Sequence, residues 1–140
     1  MSSAVQLIRS AALSDVADYA STVPAGTRLV FLAGACPLDE HGATVAVGDV
    51  AGQAAQCIAN LRTALAAAGA GIEDLVQTRV LVATTRQDDL VAAWEVVRAA
   101  MGDHDVPSTL LGVTVLGYDD QLVEVEAIAA VASVADCAVR

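Results

Sequence analysis

The chain has 140 residues, 56% of them hydrophobic, a mean hydropathy of +0.58 and a formal net charge of −10. All seven basic residues are arginine, which excludes Schiff-base chemistry through a lysine amine and sets so acidic a surface against a phosphate backbone. One domain over residues 1–140 buries a core without staples, and the surplus Ala and Val exceeds what a small monomer hides, so an oligomer is expected.

In chain order, Val5 to Arg9 predict a short first strand, and the following "SAALSDVADYAST" is ambiguous. The apolar run Leu29 to Leu32 predicts a second strand, interrupted by Gly34 before Pro37; Gly34 is read either as a strand bend or as a place where backbone approaches a ligand. Asp49 is a good N-cap for a helix in which Val50, Ala54, Cys57, Ile58, Leu61, Leu65 and Ala68 recur at helical spacing until Gly69. A third strand carries Val76, Thr78, Val80 and Val82 on one face. Thr85 and Asp88 suggest a capping box for a second helix with Leu90, Ala93, Trp94, Val97, Ala100 and Met101 as its buried stripe. "STLLGVTVL" and "QLVEVEAIAAVA" follow as two strands, with "GYDD" between them as a hairpin turn. The order β-β-α-β-α-β-β predicts an α+β sandwich with both helices on one sheet face.

The last strand alternates. Val123, Val125, Ala127 and Ala129 share one face, while Leu122, Glu124, Glu126 and Ile128 share the other. Two carboxylates among aliphatic neighbours call for a wet pocket, a polar interface or solvent, because buried acids are costly unless paired. Glu126 reads as the more structural of the two. No apolar run approaches the roughly 18–20 residues of a spanning helix, and the N-terminus lacks a basic head before a long apolar stretch, so a cytoplasmic protein with no membrane partner is expected. Cys36, Cys57 and Cys137 show no CxxC spacing and read as reduced thiols, Cys36 as structural. His41 and His104 stand in polar loops, and no Ser-His-acid constellation can be assembled. No metal or other cofactor is expected.

The segments "LVFLAG", "GDVAGQAAQCIANLRTALAAAG", "DLVQTRVLV" and "LVEVEAIA", in this order and spacing, resemble the Rid (YjgF-like) family over roughly residues 15–132, most specifically through Gln53, Gln56 and Asn60. The resemblance implies a chorismate-mutase-like fold, a homotrimer with inward-facing sheets, and a small-molecule pocket at each subunit interface. It further implies hydrolysis of reactive imines and enamines, such as 2-aminoacrylate, to a 2-oxo acid and ammonia. In that chemistry a glutamate on the last strand, here Glu124, directs water. A tyrosine near the N-terminus, here Tyr19, and backbone amides complete the pocket. An arginine that clamps the substrate carboxylate falls at Ser108, and no Arg lies between Arg98 and Arg140 to replace it. A serine cannot reproduce a bidentate guanidinium contact. Ser108 and Thr109 can still donate to a neutral carbonyl or hydroxyl group, or charge could come from elsewhere, such as Arg79 or Arg28.

Three functions follow. The leading one is a Rid-type hydrolase or deaminase with an altered small-molecule substrate: Glu124 catalytic, and Tyr19, Gly34, Ser108 and Thr109 binding. The second is a trimeric small-molecule binding or regulatory protein without turnover. The third, an endoribonuclease, is opposed by the acidity and by 3% aromatic residues, with no nucleic-acid partner expected.

Overall fold

The computed structural model describes residues 3–132. The first strands are β1 (Gln6–Ile8), β2 (Ala20–Thr22) and β3 (Arg28–Phe31), followed by α1 (Val50–Ala67), β4 (Leu75–Ala83), α2 (Gln87–Met101), β5 (Ser108–Val113) and β6 (Val123–Val131). β1 and β2 form a small antiparallel pair, and the other strands make a four-stranded sheet in the order β3-β6-β4-β5. This is the expected α+β sandwich with one strand more than the sequence implied. β2 falls in the ambiguous segment, too short and too polar to show a period.

α1 begins where Asp49 accepts a hydrogen bond from the Gly52 N–H at 3.0 Å, and it closes at Gly69, whose φ of +76° suits a residue without a Cβ. Its stripe of Ala54, Cys57, Ile58, Leu61 and Leu65 is buried against Val80 and Val82 of β4 and Val123, Val125, Ala127 and Ala129 of β6. From α2 come Ala93, Val97 and Met101, with Leu90, Trp94 and Ala100 half-buried around them. The alternation of β6 is as expected, because its second face carries the half-buried Glu124, Glu126 and Ile128.

Three expectations are corrected. β5 and β6 do not form a hairpin: β5 runs parallel to β4, and β6 inserts antiparallel between β3 and β4. A parallel neighbour suits β5 because α2 supplies the long crossover such a pair needs, whereas "GYDD" only turns the chain back over the sheet. α2 starts one residue later than Thr85, at an N-cap Arg86 that makes no side-chain capping bond. Thr84 takes over that role, donating to Asp89 at 2.6 Å and accepting from the Arg86 N–H at 3.0 Å. Val76 does not share the face of Thr78, Val80 and Val82, because a bulge between Leu75 and Gln77 puts the fully buried Leu75 inward instead.

The helices cover one sheet face only. The open face is laid out in rows set by the register: Phe31, Ile128 and Gln77; then Glu126, Arg79 and Thr109; then Glu124, Leu81 and Leu111. Phe31 is 73% exposed and Leu29 46%.

Candidate functional site

Glu124 owes its setting to an irregularity beyond β3. Phe31 faces Ile128, whereas Ala35 bridges to Val125, so four steps on one chain answer three on the other. The extra residue brings Gly34 against Glu124 so closely that a Cβ at position 34 would overlap Oε2. What Gly34 approaches is the Glu124 carboxylate of the same chain, at an irregular step of the backbone beyond β3.

The carboxylate is held on one side. The Cys36 thiol donates to Oε1 at 3.2 Å, and the Gln121 amide donates to the same oxygen at 3.1 Å. Oε2 has no hydrogen-bond partner among the described residues. Burial first, and then the adjacent Glu124 charge, pushes the Cys36 thiol up to about 11, so it stays protonated and remains a donor. Cys36 is thus a neighbour of the candidate catalytic acid, a contact that no sequence spacing disclosed. Gln121, 96% buried, was equally silent in the sequence.

A polar rail on α1 fixes these neighbours. The fully buried Gln53 donates to Asp120 O at 2.9 Å and accepts from the Leu122 N–H at 2.7 Å, clamping the entry to β6. Asn60 donates to Cys36 O at 2.8 Å and Leu38 O at 2.9 Å, and Gln56 donates to Asn60 at 3.0 Å. The spacing of Gln53, Gln56 and Asn60 puts all three amides on one side of the helix, where each pairs with loop backbone that would otherwise lack partners. A cleft of about 270 Å³ opens beside this rail, lined by Gly34, Cys36, Leu38, Asn60, Ala64 and Tyr118 among others.

The remaining candidates stand apart. Ser108 turns inward, its hydroxyl 2.5 Å from that of Thr78 and donating to Val106 O at 2.9 Å. Thr109 is the hydroxyl residue of the pair on the open face, in register with Arg79. β4 lies between Thr109 and Glu124, and their rows differ by two residues. Tyr19 is 44% exposed and lines a different cleft, of about 360 Å³, with Gln77 and Pro107 among its walls. It therefore belongs near the start of β5, with Thr109 and away from Glu124. His104 is occupied, its Nε2 lying 2.8 Å from Leu75 O. Among the described residues no cluster of three or more His, Cys, Asp or Glu is placed to hold a metal ion, and no helix is long and apolar enough to cross a membrane.

The family profile described as Endoribonuclease L-PSP matches residues 9–131. A RutC-family protein of Pyrococcus horikoshii is 30% identical over 114 residues, spanning 81% of this chain and 87% of its own length. The crystal structure of a Rid-family protein from Yersinia pestis superposes with a TM-score of 0.81 at 24% identity, covering 90% of this chain and 98% of its own. The YjgF gene product of E. coli superposes with a TM-score of 0.63 at 29% identity, covering 76% and 83%. The fold is accordingly the chorismate-mutase-like one of these proteins. A glutamate half-clamped beside a close-approach glycine, on that fold and within that profile, marks the chain as a member of the Rid (YjgF-like) family.

Proposed function

We propose that the chain is a hydrolase of the Rid type, acting on a small imine, enamine or related carbonyl compound in pockets closed between the subunits of a homotrimer. The observation that supports this reading best is the state of Glu124: Oε1 is fixed by two donors, and Oε2 is unpartnered beside Gly34. A carboxylate so held can orient a water molecule and accept its proton.

For an iminium substrate the step balances without redox change. Water oxygen bonds to the C=N carbon as Glu124 takes a water proton and the π pair moves to nitrogen, giving a carbinolamine. Return of the proton to nitrogen makes it a leaving group. The C–N bond breaks, the hydroxyl loses its proton, and the products are a carbonyl compound and ammonium.

In this reading the second half of each pocket comes from a neighbouring copy. β3 and β5 are the two edges of the four-stranded sheet. A head-to-tail ring carries the β5 edge of one copy to the β3 edge of the next, and with it Thr109 and Tyr19 toward Gly34 and Glu124. The open apolar face, with Leu29 and Phe31, is then turned inward. Ser108 supports β5 from inside through Thr78, and Thr109 supplies the neutral hydrogen bond. An endoribonuclease has less support. The arginine of the open face stands beside Glu126 and leaves no basic track for a phosphate chain.

The test couples an amino-acid oxidase to the purified protein and follows imine decay by trapping. Acceleration by the wild type, lost by about 100-fold or more in Glu124→Gln, is the expected result. No acceleration of any imine, charged or neutral, overturns the proposal, and ligand-induced stabilisation without turnover would favour a binding protein.

A further inference from the structure

The β1–β2 pair and the loop joining its strands, residues 6–22, stand off the main sheet, and no side chain in that stretch is fully buried within its own chain. Polar ties therefore set where this arm lies. One is Ser21, whose hydroxyl donates at 2.6 Å to Val76 O, at the bulge of β4. The other centres on Asp105, in the loop between α2 and β5. Its Oδ2 accepts from Arg9 Nη2 at 2.8 Å and from the Asp18 N–H at 3.2 Å. Arg9 directly follows β1 and also donates to Asp15 at 2.6 Å and to Asp18 at 3.1 Å, so one guanidinium gathers both ends of the arm's loop against a single carboxylate of the body. The side chains of Asp105 and Asp18 are each 15% exposed, which shields the contact from water. The body side of this tie is rigid. His104, before Asp105, has its Nε2 2.8 Å from Leu75 O, and Val106, after it, is buried and donates its N–H to His104 O at 2.8 Å.

We propose that Asp105 is a positioning residue, which through Arg9 and the Asp18 N–H latches the arm and seats Tyr19 at the head of β5. Tyr19 comes directly after Asp18, and its N–H extends the pairing of the arm by donating to Ile8 O at 3.0 Å. The cleft that Tyr19 lines includes Pro107, two residues beyond Asp105 and next to the start of β5. The latch thus fixes Tyr19 relative to Pro107 and Thr109 across a short path of bonds. Without it the arm keeps only the Ser21 tie, Tyr19 samples a spread of positions, and substrate binding has to order it. Arg98 plays a lesser part, because its Nε is 3.8 Å from Asp105 Oδ1 and its Nη1 is engaged by Gly102 O. The inference rests on the hydrolase reading for what Tyr19 does once seated, while the seating itself depends on contacts within one chain.

Amide hydrogen exchange followed by mass spectrometry, together with imine-hydrolysis kinetics on the same variants, tests the proposal. Asp105→Ala should speed exchange in residues 6–22 by about tenfold or more while α1 keeps the wild-type rate, which also checks that the variant folds. It should raise KM about fivefold or more with kcat within about twofold, since a group that only binds acts alike on the ground and transition states. Asp105→Asn, which retains a neutral acceptor, should fall between the two. Arg9→Gln cuts the same tie from the arm's side and should behave like Asp105→Ala, and Arg98→Gln should match the wild type. In a Tyr19→Ala background, Asp105→Ala should raise KM no further, because the group that the latch places is already gone; a merely structural role would add its effect. Unchanged exchange in residues 6–22, loosening that spreads to α1, or additive effects on KM overturn the proposal. A wild type without imine turnover overturns the hydrolase reading alone, and the exchange rates then decide whether Asp105 seats the arm.

Discussion

Glu124 is oriented by a thiol, an amide and the absence of a side chain, and each can be removed singly. Gly34→Ala would drive a methyl group into Oε2, and since the carboxylate is the end of a flexible side chain, it should swing off Cys36 and Gln121. The expected outcome is a fall in turnover of at least tenfold with little change in melting temperature, measured on the same preparation. Cys36 gives a pH signature. Its thiol rises from 9.0 to about 11 on folding, and that of Cys57 rises to about 12, in both cases mainly through burial. The unfolded chain therefore loses these protons first as pH rises. Stability is fully present below about 9 and declines from there toward 11 and 12. Thermal melts across that window should show the decline, shallower in Cys36→Ala, and alkylation of Cys36 in the native protein should stay slow at pH 8. At this scale the sequence was legible to within one residue. Alternation marked Glu124 and Glu126 alike and the family resemblance chose between them, while the hydroxyl that faces outward is Thr109 and not Ser108. A shift of one position on a strand reverses the face, and no periodic signal in a stretch as mixed as "PSTLLG" fixes that phase.

α1 was readable from Asp49 to Gly69 because its cap, stripe and terminating glycine all agree. What the apolar stripe concealed is the amide rail of Gln53, Gln56 and Asn60, whose partners lie in loops that no local pattern connects to the helix. Gln53→Ala leaves the Leu122 N–H and the Asp120 carbonyl without their partner, which should cost about 1–3 kcal/mol for each buried group left unpaired. Chemical denaturation measures that loss. Turnover should fall further than stability explains, because the freed segment includes Gln121. The final two strands misled for a related reason. Adjacent strands with a turn-like connection read as a hairpin, but the choice between pairing with a sequence neighbour and slotting between β3 and β4 depends on which edges remain free once α2 has crossed over. That information is global.

Taken whole, the molecule combines a net charge of −10 with an uncovered sheet face that bears Leu29 and Phe31. Copies of such a chain attract through apolar area and repel through charge, so the proposed ring should tighten as salt is added, since screening weakens only the repulsion. Light scattering after size-exclusion chromatography at low and high salt reads this directly, and Phe31→Asp should shift the population toward smaller species at both. The sequence anticipated the need for a cover from composition alone. It did not reveal which strands lie at the edges of the sheet, because that rests on the strand order. The same order bears on biosynthesis. The strand that joins the two halves of the large sheet is β6, which emerges in translation after all the other described elements, while β4, α2 and β5 form a compact crossover well before it. A nascent chain halted before residue 123 would hold β3 and the β4–β5 pair with a vacant slot between them, a sticky intermediate open to edge pairing with other chains. Ribosome-bound chains of increasing length should therefore resist proteolysis abruptly, only once the segment through Val131 has cleared the exit tunnel.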